Sequence, residues 1–204
     1  MSRPRMEPRL ERDFFARDAR VVARALLGCR LVHEAEGRAG VRRVARIVET
    51  EAYRGPRDLA CHARVGLTRR TRTLLGVEGH AYVYFVYGMH DCFNVTCLRE
   101  GVGHAVLVRA GEAEVGLPDG VRLDGPGRFT RNMGITRALD GEDVAGGARL
   151  HFLPRERRVR VGVSARVGVG YAGASADEPW RFFDADSRSV SRPPRSAIGR
   201  LRGT

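Results

Sequence analysis

The stretch Arg46-Ile47-Val48-Glu49-Thr50-Glu51-Ala52-Tyr53 constrains this chain more than any other. It begins as an apolar strand and ends in two carboxylates and an aromatic ring. Strand side chains alternate faces, so strict alternation predicts Ile47, Glu49, Glu51 and Tyr53 on one face and Val48, Thr50 and Ala52 on the other. An unpaired carboxylate is costly to bury. Two acids and a ring that continue a core face therefore mark one of two things. They form a functional site, or the strand is leaving the core with its acids solvated or paired with arginine. A Gly55-Pro56 turn follows, and the segment ends in Cys61-His62.

Charge narrows the choice of partner. The chain has 204 residues and a formal net charge of +12, which favours a polyanion: nucleic acid first, an anionic membrane surface second. No apolar stretch is long enough for a membrane-spanning helix, and the start lacks the apolar core of a signal peptide, so a cytoplasmic protein is expected. All 36 basic residues are arginine. Without lysine, no side chain can form a lysine Schiff base. Cys29, Cys61, Cys92 and Cys97 are scattered without paired zinc-ligand spacing and read as buried free thiols, a site built on Cys61 and His62 being the lesser alternative.

Along the chain, Asp18 caps a predicted helix from Ala19 to about Leu27, ended by Gly28. Arg30 to His33 reads as a strand, and Glu36-Gly37 as a turn into the central strand. Thr68 to Leu75 reads as a short basic helix closed by Gly76; its arginines and threonines suit phosphate oxygens, or form a solvated loop. Gly79 to Met89, with Tyr82, Tyr84 and Tyr87, is a strong strand pattern. Phe93 to Leu98, carrying Asn94 just after a turn, and His104 to Ala110 are further strands. Arg109 interrupts the second of these, so it needs an anionic partner, Glu49 or Glu51. Gly125-Pro126-Gly127 leads into a helix from Arg128 to Met133, whose amides suit phosphate or merely make a loop-to-helix junction. Leu150 to Leu153, Val159 to Val163 and Arg181 to Phe183 read as short strands. The segment from Arg166 to Tyr171 is too irregular to phase, and the tail after Ser187 is expected to fray. Many strands and few helices predict one α+β domain over the whole chain, a mixed fold around a curved, mostly antiparallel sheet with flanking helices.

The blocks RIVETEAYRGPRDLACHA, HAYVYFVYGMHDCFNV, HAVLVRA, LDGPGRFTRNMGI and RVGVGYAG…PWRFF resemble, in order and over nearly the whole chain, the alkyladenine (3-methyladenine) DNA glycosylase family. The resemblance implies a monomeric base-excision repair enzyme without metal or cofactor. Such an enzyme flips an alkylated or deaminated purine out of damaged double-stranded DNA, in the bacterial cytoplasm and its nucleoid, and hydrolyses the N-glycosidic bond with no lyase step. By the same resemblance Glu51 matches the general base and Arg109 the arginine that helps hold its water. Tyr53, His62 and Tyr84 match the residues around the flipped base, and Asn94 the position that crowds purines with an amino group at C2. Tyr87 matches the side chain that fills the vacated stack. Thr68, Arg70 and Arg128 match contacts to the DNA backbone. Leu67, Arg69 and Asp91 depart from the family pattern and bear on DNA contacts rather than chemistry. Glu49 is expected to pair with arginines. The alternatives are a non-catalytic nucleic-acid-binding module on the same scaffold and, last, a metal-dependent nuclease.

Overall fold

The fold follows from one long strand and what pairs along its two edges. A computed structural model describes residues 7–35, 40–86 and 88–191. Its elements are α1 (Arg12–Phe15), α2 (Ala19–Leu26), β1 (Arg30–Ala35), β2 (Val41–Arg54), β3 (Ala81–Val86), β4 (His90–Cys97), β5 (His104–Val115), α3 (Pro126–Met133), β6 (Leu150–Leu153), β7 (Val161–Ser164) and β8 (Arg181–Asp184). All strand pairs are antiparallel, in the order β3-β4-β5-β2-β1-β6. β5 runs along one edge of β2. The other edge pairs first with β1 and then, from Glu49 to Glu51, with β8, which also carries β7. The result is the expected single α+β domain, a curled antiparallel half-barrel with a few helices.

β2 does not alternate strictly. Its register against β5 shifts between Ile47 and Glu49 and again between Glu49 and Thr50. Such a bulge inserts a residue and re-aims those after it. Ala45 and Ile47 therefore point into the same apolar core as Ala52, while Thr50 binds the Ala23 carbonyl of α2 from that side. Ile47 does not share a face with the two acids, contrary to the simple alternation. The extra residue lets β2 spend its first half on the core and still present Glu49, Glu51 and Tyr53 together on the opposite face.

The core lies between this sheet and helices α2 and α3, around Phe15, Phe93, Phe129 and Phe152. Each buried phenylalanine contributes about 1.5–3 kcal/mol by removal from water. α2 starts where predicted, with the Asp18 carboxylate accepting the Arg20 N–H, and docks on β2 through the 2.9 Å Thr50–Ala23 bond. The turn after β2 requires glycine: Gly55 has φ +75°, and a Cβ there would lie 2.4 Å from the Val102 carbonyl oxygen. All four cysteines are free and buried. Among the described residues no helix is long and apolar enough to cross a membrane.

Three local expectations need correction. Thr68 to Leu75 forms a run of turns rather than a helix. The turn is pinned by side chains instead of a helical ladder, with Thr71 Oγ1 donating to the Gly66 carbonyl and accepting the Thr68 N–H. Asn94 sits inside β4, not just after a turn, because that strand begins at His90. The segment after Ser187 does not fray over its described residues, since the Ser191 N–H and hydroxyl both bind Glu49. Tyr87, the Glu36-Gly37 turn and positions 192–204 lie outside the described residues.

Candidate active site

Glu49 and Glu51 are both fully buried on the face of β2 opposite the apolar core, and Arg109 arrives from the neighbouring β5. Its Nε donates to Glu49 Oε1 at 2.8 Å, and its NH1 group to Glu51 Oε2 at 3.3 Å. A second buried arginine, Arg181 of β8, also donates to Glu49 Oε1 at 2.8 Å. Burial opposes the charge on Glu49, but the two guanidiniums and the Ser191 N–H outweigh it and lower its pKa.

The two carboxylates differ in how many acceptor positions are used. An ionised carboxylate offers about four. Glu49 accepts four bonds: from Arg109, Arg181 and the Ser191 hydroxyl on Oε1, and from the Ser191 N–H on Oε2. Glu51 accepts three among the described residues. Oε2 takes Arg109 and, at 3.0 Å, the Tyr53 hydroxyl; Oε1 takes only the backbone N–H of Val167, at 2.7 Å. Among the described residues, Glu51 Oε1 and Glu49 Oε2 each take a single backbone N–H, and of the two acids it is Glu51 whose partners all line a cavity.

The loop that delivers Val167 is held by the buried pair Arg166–Asp58, two contacts of 2.6 and 2.8 Å. The Arg166 guanidinium also lies 4.7 Å from the Tyr53 ring centroid and 4.9 Å from that of Trp180. Arg181, Asp58, Arg166, Val167 and Ser191 were not identified in the sequence. The irregular glycine-rich 166–171 run hides its anchor, and nothing local marks a backbone amide as a carboxylate donor.

Tyr53, Arg109 and Val167, all bonded to Glu51, line a cavity of about 530 Å³ that also receives His62, Tyr84 and His90. Its size falls within the range of about 300–1,000 Å³ usual for small-molecule sites. A narrow cleft of about 50 Å³ beside it joins Tyr53, His62 and Tyr84 to Asn94. The structure thus brings together six of the residues singled out in the sequence: Glu51, Arg109, Tyr53, His62, Tyr84 and Asn94. His62 packs edge-on against Tyr84 with ring centroids 4.5 Å apart and shares a 3.0 Å hydrogen bond with the Tyr82 hydroxyl. Burial, then repulsion from Arg70 and Arg64, pushes the imidazole down to about 4, so it is neutral at pH 7. The Asn94 amide donates to the Tyr82 carbonyl at 3.1 Å. Burial, followed by the nearby Glu51 charge, raises the Tyr53 phenol well above its usual range, so it remains a donor.

The expected backbone-contact residues lie farther out. Arg70 is exposed and sits 5.2 Å over the Tyr84 ring. Thr68 is engaged with Thr71 inside its turn. Arg128, at the start of α3, is exposed and paired with Asp124 at 3.0 Å. Of the departures, Leu67 and Arg69 are exposed and Asp91 pairs with Arg137. Among the described residues no group of three or more His, Cys, Asp or Glu side chains is arranged to hold a metal ion.

The half-barrel thus sets a buried carboxylate, Glu51, beside an aromatic cavity. The chain belongs to the methylpurine-DNA glycosylase family, whose model matches residues 13–188. A relative from Myxococcus xanthus, named "Putative 3-methyladenine DNA glycosylase", is 52% identical over 187 residues, 91% of this chain and 94% of the relative. Relatives of the same name from Anaeromyxobacter sp. and Methanocella arvoryzae are 48% and 43% identical, covering 95% and 91% of this chain and 100% and 96% of their own lengths.

Proposed function

We propose that the protein excises alkylated or deaminated purines, 3-methyladenine among them, from damaged double-stranded DNA, with Glu51 as the general base. The observation that carries this reading is that Glu51 accepts from Tyr53, Arg109 and Val167, all of which line the aromatic cavity, whereas Glu49 is also held by Arg181 and Ser191, which do not line it.

A base inside a duplex is out of reach, so the nucleotide is turned out of the stack at a cost of a few kcal/mol. The positive chain supplies affinity for the backbone, through Arg70, Arg128 and the Thr68 turn. Tyr87 fills the vacated stack. The flipped base lies among Tyr53, His62 and Tyr84. Aromatic faces favour a cationic alkylated ring by about 0.5–2 kcal/mol, and a neutral His62 adds no repulsion to it.

Water donates a hydrogen bond to Glu51 Oε1. As the C1′–N bond lengthens, an oxocarbenium-like sugar develops, and the buried carboxylate stabilises it. Water's oxygen then bonds to C1′, its proton passes to Glu51, and the electron pair of the broken bond leaves on the base. An N3- or N7-alkylated purine departs neutral without further help. With no lysine in the chain, hydrolysis leaves an abasic site and no lysine Schiff base follows.

The test is incubation of duplexes carrying single defined lesions, with EDTA present, and mass spectrometry of released bases. Free modified purine with an intact, alkali-labile strand is the expected result. Strand scission without free base would replace this reading with a nuclease, and tight binding without release would leave a binding module.

A further inference from the structure

A second cavity of about 660 Å³ lies away from Glu51. It is a groove between the outer side of α2 and the β7–β8 ribbon. In the β2–β8 register Thr50 stands opposite Phe182, and Glu51 opposite Arg181. Phe182 therefore points to the α2 side, and Arg181 to the side of the carboxylates. The floor of the groove is Trp180, Phe182, Val161 and Val163, with Val21 and Val163 unusually exposed for apolar residues, at 48% and 40%. Its rim is Arg20, Arg24 and Arg155, and among the described residues no acidic side chain lines it. The Arg24 guanidinium lies 5.3 Å over the Phe182 ring, and Arg20 lies 6.0 Å over that of Trp180. Arg20 is partly neutralised by Asp18, but Arg24 and Arg155 have no ion pair among the described residues.

We propose that this groove docks an acidic, apolar peptide segment of a partner protein, separate from the DNA site. Charge complementarity identifies the occupant: cations ring an aromatic and aliphatic floor, so the ligand carries carboxylates and buries apolar side chains between them. The ends of this chain do not qualify, since positions 1–6 and 192–204 hold arginines and no acid. A second copy is disfavoured by the net charge of +12. A DNA backbone would meet the arginines but leave the apolar floor uncovered. The free edge of β7, which pairs only with β8 among the described residues, offers main-chain bonds to an extended peptide.

Trp180 is the only tryptophan in the chain, so its emission reports on the groove. The experiment titrates the full chain with a fluorescein-labelled synthetic peptide alternating glutamate with leucine and phenylalanine, reading peptide anisotropy and Trp180 emission together. Saturable binding that changes Trp180 emission is expected. Binding should weaken at least roughly tenfold in Arg24→Glu and in Arg155→Glu, with base excision unchanged in both variants. The same peptide with lysine in place of glutamate should not bind. Three results would overturn the proposal: no saturable binding, equal binding of the lysine peptide, or displacement of the peptide by undamaged duplex. The milder variants Arg24→Ala and Arg155→Ala, checked for an unchanged melting transition, keep the test valid if charge reversal prevents folding.

Discussion

Val167 donates its backbone N–H to Glu51 Oε1 at 2.7 Å, across 116 residues of sequence. With Arg109 and Tyr53 on Oε2, this bond fixes the carboxylate plane. Glu51→Gln keeps the shape but cannot take a proton from water, and its NH2 group must face one of the donors now bonded to the carboxylate. Single-turnover excision should fall by at least about 100-fold, the lower end of general-base contributions, while DNA affinity in a gel-shift assay stays near the parent value. Near-normal excision would remove Glu51 from the role.

Glu49 is read as the anchor of Arg109 rather than as a base. Glu49→Ala leaves two buried guanidiniums without their shared acceptor. A break of this kind costs about 3–5 kcal/mol, measurable as a lower urea midpoint at unchanged slope. A loss within about 1 kcal/mol, the scale of exposed pairs, would contradict the buried network.

Asn94 is read as the residue that selects among purines. Its side chain lines the cleft with Tyr53, His62 and Tyr84 and is tethered to the Tyr82 carbonyl. Asn94→Ser shortens it and opens space for an amino group at C2. Excision of guanine-type bases should rise relative to hypoxanthine, by a discrimination of about 1–3 kcal/mol, on the scale of one methylene in a pocket. The readout is the ratio of single-turnover rates on guanine- and inosine-containing duplexes. An unchanged ratio places Asn94 away from that edge of the base.

His62 ties stability to pH. Its ordinary value of 6.5 is depressed to about 4 by burial, with Arg70 and Arg64 adding to the shift. Between those values the unfolded chain binds a proton that the folded chain does not. The contribution is therefore fully present above pH 6.5 and is lost progressively as the pH falls towards 4. The ceiling is about 1.4 kcal/mol per pH unit, and partial exposure of the ring lowers it through solvent screening. Urea midpoints measured from pH 7.5 to 4.5 should decline less steeply in His62→Phe than in the parent. Parallel curves would assign the acid sensitivity elsewhere.

Residue identity and short-range period were enough to find β2, β4, β5 and α2, to bring Glu51 and Tyr53 to one face, and to require an acid beside Arg109. These follow from alternation, capping and the cost of burying a lone charge, all of which act locally. The absence of lysine likewise set a limit on covalent chemistry with no reference to shape. Strict alternation failed at Val48 because a bulge depends on the partner strand's register, which no local pattern carries. The Thr68 to Leu75 segment failed as a helix because threonine side chains satisfy its backbone in a turn. Which donors hold each of the two acids was decided only in three dimensions. Both are glutamates on one strand, and what separates them is which donors reach them: Arg181 and Ser191 on Glu49, Tyr53 and Val167 on Glu51. Ser191, Arg181 and the Val167 amide lie far along the chain, and the half-barrel alone brings them within hydrogen-bonding distance.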